Sequence, residues 1–136
     1  MIMVPSTAGS GADITQFAVI VDSLRQVKMI MMSKSLVPDI SITDPLVLTT
    51  KDPQLTANSG MDALAHAIEA YVSVAANFLT DSYALTAIRL ISAYLGKSVA
   101  SKTNLEAKDA MAKASLLAAI AASNALLVLS TPWPIR

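Results

Sequence analysis

Cysteine is missing from this chain of 136 residues, which excludes disulfide bonds, thiolate metal sites and cysteine nucleophiles together. An excess of charge is missing as well, because ten basic residues balance ten acidic ones. A neutral chain has no basic surface to attract nucleic acid or an anionic membrane. These absences favour a cytoplasmic protein whose partners are small molecules or other protein chains.

Signals for export and membrane insertion are also missing. The apolar start of the chain is interrupted at Pro5 before it can form the core of a signal peptide. Residues 114–135 carry no charge and are long enough to cross a bilayer. Hydroxyl and amide side chains are scattered through this stretch, however, and Pro132 and Pro134 interrupt its end. We therefore expect neither export nor a transmembrane helix.

The second half of the chain lacks proline between Pro53 and Pro132. Alanine, leucine, isoleucine and methionine dominate there, with charges at helical intervals. The pattern predicts helices over residues 53–57, 60–72, 79–97 and 105–128, with Asn58 or Ser59 as the cap of the second. Because 54% of the residues are hydrophobic and only 15% are charged, we expect these helices to pack around a core.

The first part of the chain predicts strands. Residues 1–4 form an apolar run that leads into the loop PSTAGSGAD, residues 5–13. Such a loop can present N–H groups and hydroxyls to an anion, but it matches neither the P-loop nor the Rossmann motif and equally fits a polar connection. Residues 17–21 and 27–32 predict a β-hairpin, in which Lys28 either guards an edge strand or contacts a ligand. A short strand near Ile40 ends at the turn Asp44-Pro45.

Histidine occurs once, at His66, four residues after Asp62. On a helix this spacing places the two side chains on one face, so both can point at one metal ion. A carboxylate and an imidazole suit iron(II) or zinc. The alternative is a hydrogen bond between the two side chains on the helix surface. The spacing alone leaves both interpretations open.

Five segments of the sequence occur in the order of a known family: VPSTAGSGAD, the strand with Lys28, VPDISITDP, PQLTANSGMDALAHAIEAYVS and LTDSYALTAIRLI. From about Val4 to Ala125 the chain resembles the central portion of an iron-containing alcohol dehydrogenase. The resemblance implies an NAD(P)-dependent oxidoreductase that moves a hydride between an alcohol or aldehyde and the nicotinamide ring. It also implies an α+β fragment, in which residues 1–45 end an α/β dinucleotide-binding domain and residues 46–136 begin an all-helical metal-binding domain.

The same resemblance assigns the site residues. The positions of Asp62 and His66 match metal ligands, which would hold Fe2+ or Zn2+. The positions that match cofactor-binding residues are Ser6, Thr7, Ser10 and Lys28. No catalytic residue is assigned.

The chain departs from the family pattern in three places. The loop of residues 5–13 carries Ala12-Asp13 where the family commonly has Ser-Glu. The glycine-rich dinucleotide fold that should precede Met1 is missing. After Ala125 the family continues into a glycine and several histidines, whereas this sequence reads LLVLSTPWPIR. We expect a truncated or frameshifted tail from about Leu126. With two of four ligands, the chain alone is expected to bind metal weakly and to be inactive.

A different class of function fits the same composition. Helices rich in alanine usually bury both sides within a larger assembly. The chain could therefore be a helical interaction module that self-associates or needs a partner chain, and exposed apolar faces would favour a homo-oligomer.

Overall fold

The computed structural model describes residues 1–125. Four strands come first: β1 (Ile2–Met3), β2 (Phe17–Asp22), β3 (Val27–Met32) and β4 (Ile40–Ser41). Short 3-10 turns at Lys34–Leu36 and Val47–Thr50 follow β3 and β4. Three helices complete the described part: α1 (Pro53–Val72), α2 (Phe78–Ala100) and α3 (Leu105–Asn124). This order confirms the predicted α+β class, with strands first and a helical bundle after them.

The strands form two separate two-stranded sheets. β1 pairs with β4 in parallel, and β2 pairs with β3 as the predicted antiparallel hairpin. In the hairpin Val21 lies opposite Lys28, and Val19 lies opposite Ile30. Because opposite residues of a strand pair point to the same face, these four side chains share one side of the hairpin.

The first helix corrects the sequence prediction. Residues 53–72 form one helix rather than two, and its cap is Asp52, whose carboxylate accepts a hydrogen bond from the N–H of Leu55 at 2.8 Å. Asn58 and Ser59, the predicted caps, lie inside this helix. Gly60 does not interrupt it, because the side chains of Leu95 and Met111 occupy the space above the glycine.

The other helices were predicted more closely. α2 begins one residue earlier and ends three residues later than the predicted 79–97. α3 begins at Leu105 as predicted and ends at Asn124. The predicted continuation to residue 128 and the divergent tail from about Leu126 lie outside the described residues. None of the helices in the described part of the chain is long and apolar enough to cross a membrane.

The core lies among the three helices and consists mainly of alanine. The main cluster contains the fully buried alanines Ala63, Ala67, Ala87, Ala114 and Ala118. Ile91 and Met111 are the two larger buried members of this cluster. Small side chains at the contacts let the helix backbones approach closely. The sequence needs alanine at these positions because larger residues would separate the helices.

One charged side chain is buried beside this core. Lys108 of α3 is 1% exposed, and its Nζ donates a hydrogen bond of 2.9 Å to the carbonyl oxygen of Ser98. Ser98 lies in the last turn of α2, where the helix dipole favours a positive charge. Burial lowers the pKa of Lys108, and the nearby positive charge of Lys102 lowers it further.

The lowered pKa of Lys108 predicts how stability depends on pH. Consider the pH range between the pKa of Lys108 in the folded chain and its ordinary pKa of 10.5. In this range the unfolded chain binds more protons than the folded chain, so the free energy of unfolding rises with pH. The stability of the wild type relative to Lys108→Met should therefore increase as the pH rises toward 10.5. Urea unfolding at a series of pH values measures this difference. The control is Lys113→Met, which removes an exposed amine from the same helix. The prediction is contradicted if the stability of the wild type relative to Lys108→Met falls as the pH rises.

Candidate functional site

The predicted metal pair lies at the edge of the buried face of α1. That face is formed by small residues at helical spacing, which are Gly60, Ala63, Ala67 and Ala70. Asp62 and His66 each precede a buried alanine by one position. Since neighbouring positions on a helix are about 100° apart, both side chains lie beside the packed face rather than within it.

The two side chains of the pair approach each other without a hydrogen bond. His66 Nε2 lies 3.9 Å from Asp62 Oδ1, which exceeds the range of a hydrogen bond. The hydrogen-bonded alternative considered from the sequence is therefore wrong for this conformation. Two ligands of one tetrahedral zinc ion lie about 3.4 Å apart, so a small side-chain movement would bring both onto one ion. The imidazole is 24% exposed and the carboxylate 37% exposed.

The other ring nitrogen of His66 is buried. Nδ1 has no hydrogen-bond partner, although a buried polar atom normally has one. A histidine that binds a metal through one nitrogen usually donates its other N–H to a nearby acceptor. Neither a metal ligand nor a purely structural histidine accounts for the orphaned Nδ1.

A large open cleft gathers residues from both parts of the chain. Its volume is about 730 Å3, and it is lined by Ser10 from the loop, Lys28 from β3, and Asp62 and His66 from α1. The rest of the lining is largely apolar and includes Met3, Phe17, Val19, Ile30, Ala119 and Ala122. The structure thus brings four of the six predicted site residues to one cavity. Lys28 lines this cleft, and its contact with a ligand stays a prediction.

Ser10 reaches the cleft because the residues on each side of it pack against helices. A Cβ on Gly9 would lie 2.9 Å from the carbonyl oxygen of Ser59 in α1. Gly11 has a φ of 63°, and a Cβ there would overlap the Cβ of Ala119 in α3. Both glycines are buried while Ser10 between them is exposed. The loop is therefore seated on α1 and α3, the helices that also line the cleft.

Comparison with known proteins identifies the family. A model described as iron-containing alcohol dehydrogenase matches residues 1–45. A second, the C-terminal model of the Fe-containing alcohol dehydrogenase family, matches residues 56–130. The chain belongs to the iron-containing alcohol dehydrogenase family. This confirms the family to which the sequence was assigned.

Members of the iron-containing alcohol dehydrogenase family resemble the chain along most of its length. The NAD-dependent methanol dehydrogenase of Bacillus methanolicus is 44% identical over 91% of this chain and 32% of its own length. The crystal structure of a 1,3-propanediol oxidoreductase superimposes with a TM-score of 0.88 at 45% identity, over 93% of this chain and 33% of that one. The crystal structure of the sulfoacetaldehyde reductase of Bifidobacterium kashiwanohense in complex with NAD+ superimposes with a TM-score of 0.85 at 35% identity. The match covers 88% of this chain and 32% of that one. This chain spans about a third of the length of these relatives.

Two of the predicted cofactor residues lie outside the cleft. Thr7 lines two small cavities of about 10 and 20 Å3 beneath the loop. Ser6 is exposed and does not line the cleft. Ser10 and Lys28 do line it, and contact with a cofactor stays a prediction for all four residues.

Two hydroxyl side chains in the cleft were not selected from the sequence. Thr15, just before β2, and Ser123, near the end of α3, both line it. Ser123 Oγ is buried without a hydrogen-bond partner. Ser123 directly follows the apolar residues 116–122 of α3, which was a usable signal. Thr15 lies in a loop where nothing in the local pattern singles it out.

The donors present fit part of a metal site of the iron-containing alcohol dehydrogenase family. In the part of the chain that the structure describes, no three His, Cys, Asp or Glu side chains come close enough to hold one ion. His66 is also the only histidine in the sequence. A catalytic zinc site needs three protein ligands, so Asp62 and His66 would supply two and need at least one more.

Proposed function

We propose that this chain forms the cofactor and metal cleft of an alcohol dehydrogenase that moves a hydride between an alcohol or aldehyde and NAD(P). The observation that carries the proposal is the shared cleft. It brings the predicted cofactor residues Ser10 and Lys28 together with the predicted metal pair Asp62 and His66. A dehydrogenase needs its dinucleotide and its alcohol side by side, and a cleft of this size has room for both.

Asp62 and His66 would hold Fe2+ or Zn2+ at this cleft. The carboxylate would offset part of the positive charge, and the neutral imidazole would fix the direction of approach. When bound, such an ion acts as a Lewis acid and lowers the pKa of an alcohol. The fit rests on the 3.9 Å separation of the two donor atoms and on the absence of a hydrogen bond between them. Because two ligands hold a metal weakly, we expect no turnover from the isolated chain.

The dinucleotide would lie between the loop and the hairpin. Ser10 offers a hydroxyl on one side of the cleft, and Lys28 brings an ammonium group that can pair with a phosphate. Relatives are described as NAD-dependent, as an NAD+ complex and as NADPH-dependent, which supports a nicotinamide dinucleotide as the cofactor. We further propose that residues 1–45 belong to the dinucleotide-binding domain and residues 46–136 to the helical domain.

The alternative of an interaction module has one structural observation in its favour. The hairpin side chains of Ile20, Met29 and Met31 are each nearly half exposed. Such a surface invites contact with more protein. An interaction module gives no reason for dinucleotide binding, so a binding measurement separates the two functions.

Titration of the purified chain with NADH tests the proposed function. We expect saturable binding that Lys28→Gln weakens by about tenfold, because a hydrogen bond to a charged group is worth about 1.5 to 3 kcal/mol. Lys34→Gln removes an exposed lysine that does not line the cleft, and it should leave the Kd unchanged. Fluorescence of the reduced nicotinamide reports the binding. Equal affinities of the wild type and Lys28→Gln would contradict the assignment of Lys28, and no binding by the wild type would contradict the function.

A further inference from the structure

A buried hydrogen bond joins the loop that carries Ser10 to the middle of α3. The hydroxyl of Ser115 donates to the carbonyl oxygen of Gly9 at 3.2 Å. Both residues are buried, so this bond is shielded from bulk water. A buried carbonyl left without a donor is costly, which gives this contact more weight than an exposed one.

Ser115 is one of the contacts that α3 makes with the loop. Ala119 follows it by four residues and packs against Gly11. Since residues four apart lie on the same face of a helix, a single face of α3 supports both glycines. The exposed Ser10 stands between these two supported positions.

The same region of α3 also lines the cleft. Ala119 is part of its lining together with Asp62 and His66. Ser115 is not part of that lining and instead lies beneath the loop, beside a small cavity that includes Thr7. Ser115 therefore lies outside the cleft and contacts the loop that carries Ser10.

We propose that Ser115 is a positioning residue that holds the Gly9 carbonyl and thereby sets where Ser10 lies relative to Asp62 and His66. The inference rests on the proposed function, because it takes Ser10 as a contact of the dinucleotide. It assigns Ser115 no contact with the cofactor or the metal. Loss of its hydroxyl should free the loop and weaken dinucleotide binding without changing the metal pair.

The chain offers a matched control for Ser115→Ala. Ser98 in α2 is equally buried, but its hydroxyl has no hydrogen-bond partner. Ser98→Ala therefore makes the same chemical change at similar burial without removing a bond. Both variants and the wild type are compared at a temperature at which all three are folded.

Three measurements test the proposal. Hydrogen exchange of the backbone amides of residues 9–13 should be about tenfold faster in Ser115→Ala and unchanged in Ser98→Ala. The Kd for NADH should rise about fivefold in Ser115→Ala only. The affinity of the Asp62–His66 pair for Mn2+, measured by line broadening, should be the same in all three proteins.

The outcomes separate this proposal from the proposed function. Unchanged exchange in residues 9–13 of Ser115→Ala would overturn the positioning role. Equal losses of NADH and Mn2+ binding would also overturn it, since they would indicate a general structural role. If the wild type binds no NADH, the proposed function fails, and the exchange of residues 9–13 still decides whether Ser115 holds the loop.

Discussion

Gly11→Ala should lower the free energy of unfolding by about 3 kcal/mol. Two costs combine at this position. The φ of 63° is strained for any residue with a Cβ, and the added methyl group would overlap the Cβ of Ala119. Neither atom is the flexible end of a long side chain, so relief requires the loop or α3 to move. Urea unfolding followed by circular dichroism measures the loss.

Gly96→Ala is the matched control for this prediction. Gly96 lies inside α2, and a Cβ there would meet no atom within 4 Å. Alanine in a helix interior is favoured over glycine by about 1 kcal/mol, so this variant should be slightly more stable than the wild type. A Gly11→Ala protein as stable as Gly96→Ala would show that the loop is not seated on α3 as described.

Removal of either Asp62 or His66 should lower the affinity for a divalent metal by at least about tenfold. Even the loss of a residue that only orients a metal ligand typically lowers metal affinity by about 10- to 100-fold. The reason is that Asp62 and His66 supply the carboxylate and the imidazole among the described residues that line this cleft, and one remaining donor cannot chelate. The test is a titration of Asp62→Ala and His66→Ala with Mn2+, which broadens the resonances of nearby nuclei. In the wild type the broadening should centre on the cleft residues of α1.

Asp109→Ala provides the control for loss of a carboxylate. Asp109 lies in α3, where it pairs with Lys113 at 2.6 Å, and it does not line the cleft. Its removal should leave the broadening in place. Broadening that persists in both Asp62→Ala and His66→Ala would place the metal elsewhere and contradict the assignment of this pair.

Local patterns in the sequence were enough to predict the hairpin and α2. Both elements are defined by short runs of residues, β-branched and sulfur-containing in the hairpin and apolar at helical spacing in α2. The pairing of Asp62 with His66 could be predicted for the same reason, because it follows from spacing on one helix. Local pattern gave the loop with Ser10 and the strand residue Lys28 only as one of two alternatives each, and the resemblance to the family then assigned both residues to the cofactor.

Tertiary contacts decided what the sequence could not show. Gly60 looked like the start of a helix, but Leu95 and Met111 pack over it and α1 continues without a break. In the loop, the close contact of Gly9 with Ser59 and of Gly11 with Ala119 determines which hydroxyl faces the cleft. These partners are far apart in sequence, so the different positions of Ser10, Ser6 and Thr7 could not be predicted.

The bond between Ser115 and Gly9 also has a consequence for the order of folding. Its two residues are 106 positions apart in the chain, whereas the hairpin and the turns between the helices join near neighbours. Closing so large a loop costs more entropy than closing a short one, and such contacts form slowly. During synthesis the loop can reach its seat only after α3 has left the ribosome. We therefore expect the contact between Gly9 and Ser115 to form after the hairpin and the turns between the helices.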